Sequence, residues 1–232
     1  WMNRIQQNNG IIPDNVGPTG KVGEHRNGVW WGGLTGWGSQ YGYQRLFHSV
    51  MLATECAVLL SGDLKYTELM RSQIKMLLDN SFTREDGHML VPKRITPEGW
   101  DRSDAEPLRV YESAHVYHMS MSKEDYDVID RLREGDKERD WNEVTFHGDR
   151  RADWETEYSR FQYYDGKNPN WPEKALTAQY QQALDAYEKL KLDDRDAAQL
   201  IAANEEPPNP VYTKVLTQTT MGSPHSVYHG GL

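Results

Sequence analysis

The sequence predicts an all-α protein: an (α/α) toroid of helical hairpins with long Gly/Trp-rich loops, a fragment of an (α/α)6 barrel. Three observations carry that expectation. Apolar residues recur at helical spacing in three pairs of segments, each pair joined by a short connection. The pairs recur about every 50 to 60 residues. Between them run long loops, which in a compact domain are usually functional. More than half of the 19 glycines lie between Asn8 and Tyr43, together with Trp30, Trp31, Trp37, Tyr41 and Tyr43.

Each element has its own signature. Trp1 to Gln7 reads as the tail of a helix, stopped at Asn8-Asn9-Gly10. Arg45 to Leu60 is a helix on Leu46, Phe47, Val50, Met51, Ala57 and Val58, ended by Gly62. Leu64 to Asn80 is its hairpin partner, with Tyr66, Leu69, Met70, Ile74 and Leu77 on one stripe. Ser81 to Pro107 is turn-rich (Asp86-Gly87, Pro97-Glu98-Gly99), with a possible short strand at Met89-Leu90-Val91. Leu108 to Met121 and Ser122 to about Arg133 form the second hairpin, Ser122 capping its second helix with an acid at N3. Ala152 to Tyr164 and Asn170 to about Leu190 form the third, the latter burying Leu176, Tyr180, Ala183, Leu184, Tyr187 and Leu190. A short helix near Asp194 to Ala203, an ambiguous Val211 to Thr220 and a second Gly/aromatic loop from Met221 to Gly231 complete the chain.

The totals narrow the function. A net charge of −9 and a pI near 5.4 argue against a broad nucleic-acid surface. The single Cys56 excludes an internal disulfide and a cysteine-rich metal site, and its apolar helical run suggests a buried, inert thiol. No apolar run reaches the roughly 20 residues of a membrane span. The opening on Trp1 and the abrupt end suggest one domain, 1–232, cut at both ends from a longer protein, so a periplasmic or secreted location stays open. The Asn8–Tyr43 stretch reads as one wall of a saccharide cleft: glycine allows close approach, and indole offers a flat apolar face. The alternative is an ordered loop whose aromatics plug the end of a helical domain.

Several motifs carry a resemblance. Asn9-Gly10-Ile11-Ile12-Pro13-Asp14-Asn15-Val16-Gly17, Gly20-Lys21-Val22-Gly23-Glu24, Trp30-Trp31-Gly32-Gly33, Gly36-Trp37, Tyr111-Glu112-Ser113-Ala114-His115-Val116-Tyr117-His118-Met119-Ser120, Thr220-Met221-Gly222-Ser223-Pro224 and Tyr228-His229-Gly230-Gly231 resemble a bacterial family of carbohydrate-active α/α-toroid proteins. The resemblance points to glycoside hydrolases acting on uronic-acid sugars, of the β-glucuronidase and unsaturated-glucuronyl type. Such toroids carry roughly twice as many hairpins, which implies that helices precede and follow this sequence.

Glycoside hydrolysis needs two carboxyl groups in different protonation states. Glu24 is the first candidate, with burial against Trp30-Trp31 expected to raise its pKa; Asp14 is the second, with turn formation as its alternative role. Asp101 and Asp104, with Arg102 between them, suggest a structural ion pair. His115 serves equally as an acid/base group or as a packing histidine. Glu112, His115 and His118 make an incomplete metal trio, so neither a metal nor another cofactor is expected. His25, Trp30, Trp31, Trp37, Tyr43 and His229 are the candidate sugar contacts, and Arg109, among Arg45, Arg94 and Arg102, is the candidate clamp for a uronate carboxylate. The leading expectation is a hydrolase. The alternatives are a polysaccharide lyase using His or Tyr as base, and a saccharide-binding protein without chemistry.

Overall fold

The computed structural model describes residues 1–33, 36–144 and 156–192. The chain divides into two compact units, Trp1–Arg139 and Asp140–Leu232.

The first unit opens on a short helix, α1 (Met2–Gln7), followed by the Gly-rich loop and then α2 (Tyr43–Ser61). Gly62, in the left-handed region, ends α2. Asp63 accepts the backbone N–H of Lys65 and starts a 3₁₀ turn (Leu64–Thr67), which feeds α3 (Glu68–Asp79). After two short β-hairpins come α4 (Val110–Ser120) and α5 (Lys123–Gly135). Ser122 caps α5 as expected, its hydroxyl accepting the N–H of Asp125 at 3.2 Å.

The core forms where the helices' apolar stripes meet. Phe47, Val50 and Met51 of α2, Met70, Ile74 and Leu77 of α3, Val110 and Val116 of α4, and Ile129 and Leu132 of α5 are all buried. Each such side chain contributes about 1.5–3 kcal/mol when removed from water. Polar ties supplement the packing. Arg71 of α3 grips Asp125 of α5 through two bonds of 2.8 Å, and Ser122 donates to the same carboxylate at 2.9 Å.

The segment from 82 to 101 overturns the all-α expectation. Strand β1 (Phe82–Thr83) pairs antiparallel with β2 (Met89–Leu90), and β3 (Arg94–Thr96) pairs antiparallel with β4 (Gly99–Asp101). Among the described residues the fold is therefore mixed, helices plus two small antiparallel sheets, and not an all-α toroid. The cause is turn chemistry. Gly87 and Gly99 both take positive φ, which closes the two tight turns and brings the flanking residues into register. Val91 and Glu106 exchange two further backbone bonds beyond the hairpins.

In the second unit α6 (Thr156–Tyr164) and α7 (Trp171–Leu192) are described. Trp141 packs edge-on against Tyr158 at 4.9 Å, and the Trp171 indole donates to the Ser159 hydroxyl at 2.9 Å. Of the buried stripe expected on α7, Leu176, Tyr180, Leu184 and Tyr187 are exposed and Ala175 is buried instead, while the Ala183 and Leu190 side chains lie outside the described residues. Cys56 is a second correction, since α2 turns it outward beside Leu52, Leu59 and Leu60. No helix among the described residues is long and apolar enough to cross a membrane.

Candidate functional site

Two structures bear on function: the Gly/Trp loop, and a polar seam between α2 and α4.

Asp14 and Asn15 organise the loop. Both donate their backbone N–H to the Trp30 carbonyl, at 3.0 Å each, and the Asn15 side-chain amide donates to the Trp31 carbonyl at 2.6 Å. The Asp14 carboxylate accepts from the N–H groups of Trp37 at 2.7 Å and Gly33 at 3.3 Å. Its other oxygen is buried with no hydrogen-bond partner among the described residues. Burial pushes this carboxyl above its usual range, while the N–H groups of Trp37, Gly33 and Gly32 and the charge of Arg26 pull the other way. A Cβ on Gly36 would lie 1.9 Å from the Asp14 carboxylate, so the turn closes this tightly only on glycine.

Glu24 differs from expectation in its electrostatics. The Thr19 hydroxyl donates to it at 2.8 Å and the Thr19 N–H at 3.1 Å. These bonds favour the ionised form and hold its pKa below the usual value, where burial against indole was expected to raise it. Asp14 and Glu24 thus belong to one loop, but their carboxyls are tied to different groups, the first to the N–H groups of Gly33 and Trp37 and the second to Thr19.

The aromatic residues separate by exposure. Trp30 and Trp31 are half-buried and can present a ring face to a ligand. Trp37 and Tyr43 are completely buried and have no face to offer. The Trp37 indole donates to the Ile12 carbonyl at 2.7 Å and packs edge-on against Phe47 and Trp100. Burial drives the Tyr43 phenol far above its usual pKa, and the charges of Glu106 and Glu112 push the same way, opposed by Arg109. His25 is exposed at the rim of the loop, 3.7 Å from Glu24. His229 lies outside the described residues.

The seam was not legible as a unit. Gln44, His48 and Glu55 fall on one face of α2. Each meets a partner on or just before α4. The Gln44 amide donates to Glu106, which also pairs with Lys93 at 3.3 Å. The His48 ring lies parallel to Tyr111 at 6.0 Å. Tyr111 packs against the His115 imidazole at 4.3 Å, and His115 Nδ1 bonds to the Glu55 carboxylate. The His115 and Glu55 side chains are 29% and 27% exposed, sheltered yet open to a ligand. Arg109 stands at the N-cap of α4, two residues before Tyr111. Glu112 points inward and is buried, while His118 is exposed, so the trio expected as an incomplete metal set diverges around α4. Among the described residues no three His, Cys, Asp or Glu side chains converge as metal ligands.

A carboxylate only accepts hydrogen bonds, so Nδ1 must donate and a neutral His115 carries its lone pair on Nε2. The arrangement can therefore take up a proton at Nε2 beside a phenol. Arg94, by contrast, is committed to Asp101 at 2.8 Å and Asp104 at 3.3 Å, which makes Arg94, not Arg102, the ion-pair partner of those acids.

Residues 1–217 match the family model described as a domain of unknown function, DUF8034. The chain belongs to that family. No curated protein and no solved structure matches it. The matched span of this DUF8034 member takes in both the loop and the seam. Glu55 carries the one signal sequence reading passed over: it is the only charged residue in the run Met51–Leu60, whose other side chains are apolar apart from Thr54 and Cys56. Tyr111 and His48 had no comparable mark.

Proposed function

We propose that the protein is a carbohydrate-active enzyme that cleaves uronate-containing glycans by elimination, with His115 as the base. The observation that supports this best is the Glu55–His115 pair with Tyr111 against the imidazole. In the step, His115 Nε2 takes the proton from the carbon α to the uronate carboxyl, C5. The C5–H electron pair becomes the C4=C5 double bond. The C4–O bond breaks with its electrons on the oxygen, which takes a proton from the Tyr111 hydroxyl or from water. Arg109, at the start of the same helix, is the candidate to neutralise the carboxylate whose acidity the step requires.

Glu55 lies twelve residues along α2 from Tyr43, where the Gly/Trp loop ends, or about 18 Å at the helical rise. A monosaccharide does not bridge that span, so a substrate that touches both the loop end of α2 and His115 is a polymer or long oligosaccharide.

The test is incubation with a panel of polymers whose uronates carry a sugar on O4: polygalacturonate, alginate and hyaluronan. Elimination yields an unsaturated uronate with a new ultraviolet absorbance, and His115→Ala reduces kcat by roughly 10²–10⁴-fold. Binding without any product overturns the enzymatic reading. A second reading, hydrolysis, is favoured by the opposed pKa shifts of Asp14 and Glu24, since acid and base carboxyls are set apart in this way. New reducing ends without ultraviolet absorbance, lost in Asp14→Asn or Glu24→Gln and kept in His115→Ala, select it.

A further inference from the structure

We propose that Glu55 is the positioning residue of His115, setting the tautomer and ring orientation that make Nε2 the reactive nitrogen. The proposal deepens the elimination reading, but its spectroscopic part does not depend on that reading.

The geometry makes the case. Glu55 and His115 lie sixty residues apart in sequence and are brought together where α2 packs on α4. The carboxylate meets Nδ1 and not Nε2. Tyr111 closes on the ring at 4.3 Å with a 48° tilt, and His48 backs Tyr111 nearly parallel, at 3°. The imidazole is thus fixed by a charged acceptor at one nitrogen and by an aromatic wall at its side. Glu55 itself lies in an apolar run, where a charged side chain is a poor choice for packing alone. Its exposed helix neighbours Leu52, Cys56 and Leu59 offer no cation. His115 is the group that gives its carboxylate a partner. Where a base is held this way, loss of the orienting carboxylate leaves the histidine present but in the wrong tautomer, at a cost of up to about 10⁴-fold in kcat.

The experiment is ¹⁵N–¹H NMR of the histidine side chains in the full chain at a pH where the rings are neutral, with the His115 signals assigned by their disappearance in His115→Gln. The wild type is expected to show a protonated Nδ1 and a bare Nε2 at His115. Glu55→Ala is expected to lose that pattern and revert to the ordinary Nε2–H form. Glu55→Gln, whose amide can turn an N–H toward Nδ1, is expected to lose the Nδ1–H pattern as well, and its circular dichroism, unchanged from wild type, controls for folding. A wild-type His115 in the Nε2–H form, or identical signals in wild type and Glu55→Ala, overturns the proposal. Should Glu55→Ala not fold, the wild-type tautomer alone decides. On a uronate polymer, Glu55→Ala lowers kcat and leaves KM nearly unchanged if Glu55 acts through His115. A Glu55-dependent tautomer with no unsaturated product from any polymer keeps the pairing and removes the elimination reading. An unsaturated product with His115 signals indifferent to Glu55 does the reverse.

Discussion

Asp14 and Asp125 are both covered by protein and respond to it in opposite ways. Burial works to raise the Asp125 carboxyl, but the Arg71 guanidinium and the Ser120 and Ser122 hydroxyls outweigh it and leave the pKa lowered. A carboxyl depressed in the folded state adds stability above its unfolded value, near pH 4, and that stability is lost as pH falls through the folded value. Asp125→Asn should therefore flatten the acid side of the stability–pH curve, as read by urea melts between about pH 2 and 6. Asp125→Ala should cost about 2–4 kcal/mol at neutral pH, less than a fully buried pair because Arg71 keeps a third of its side chain exposed. Asp14 carries the other sign. Its raised pKa contributes stability that is full below about pH 4 and lost as pH rises through the folded value. In Asp14→Asn the side-chain oxygen can still accept from Trp37 and Gly33, and the variant should lose less stability than wild type over that rise. At this scale the sequence marked Asp14, since Pro13-Asp14-Asn15 is recognisable turn chemistry, whereas it marked Glu55 only as the one acid of the run Met51–Leu60 and not as a partner of His115. The residue that gives Glu55 meaning is sixty positions away, and no local spacing encodes that meeting.

The elements were legible where a single period or cap decides them. Helices α2, α3, α4 and α5 follow their apolar stripes, and Ser122 announces the start of α5. Of the two β-hairpins only one strand was legible, the short strand at Met89-Leu90-Val91, which holds β2. The other strands are two or three residues long, too short for alternation to register, and the glycine turns at Gly87 and Gly99 are their remaining mark. Such short elements hold because the surrounding core holds them: Ile95 donates its N–H to the Trp37 carbonyl at 3.0 Å, and Tyr43 donates its N–H to the Lys93 carbonyl at 3.1 Å. The Gly-rich loop is anchored in a similar way to α3. Gln73, fully buried, accepts the Ile12 N–H at 2.8 Å and donates to the Gly10 carbonyl at 3.0 Å. Gln73→Leu removes both bonds. Water can replace the one at exposed Gly10 but not the one at buried Ile12, so the cost should be about 1–3 kcal/mol. Limited trypsin digestion should report it as faster cleavage at Lys21 and Arg26, while α5 stays protected. Equal cleavage rates in wild type and variant would show that the loop holds its shape without α3.

At the scale of the whole chain, net charge and exposed apolar surface act against each other. The chain carries −9 at pH 7 and reaches neutrality near pH 5.4. Along α2 Leu52 is 57%, Leu59 84% and Leu60 90% exposed, adjacent to the exposed Cys56. Of these residues Cys56 was expected to be buried, because an apolar run on a helix reads as core whatever lies beside it; only the structure shows which flank of the run faces outward. At neutral pH self-repulsion keeps such surfaces apart, and the repulsion fades as carboxylates take up protons. Light scattering should therefore rise as pH is lowered toward 5.4 and fall again below it, when the net charge turns positive. Salt separates the two contributions: at pH 7 added sodium chloride screens the repulsion and should increase scattering, whereas at pH 5.4 little repulsion remains to be screened. Leu59→Glu with Leu60→Lys leaves the net charge unchanged and removes the apolar contribution. That pair should lower the scattering maximum without moving it along the pH axis. A maximum that survives the double substitution at full height would place the association elsewhere on the surface, away from this flank of α2.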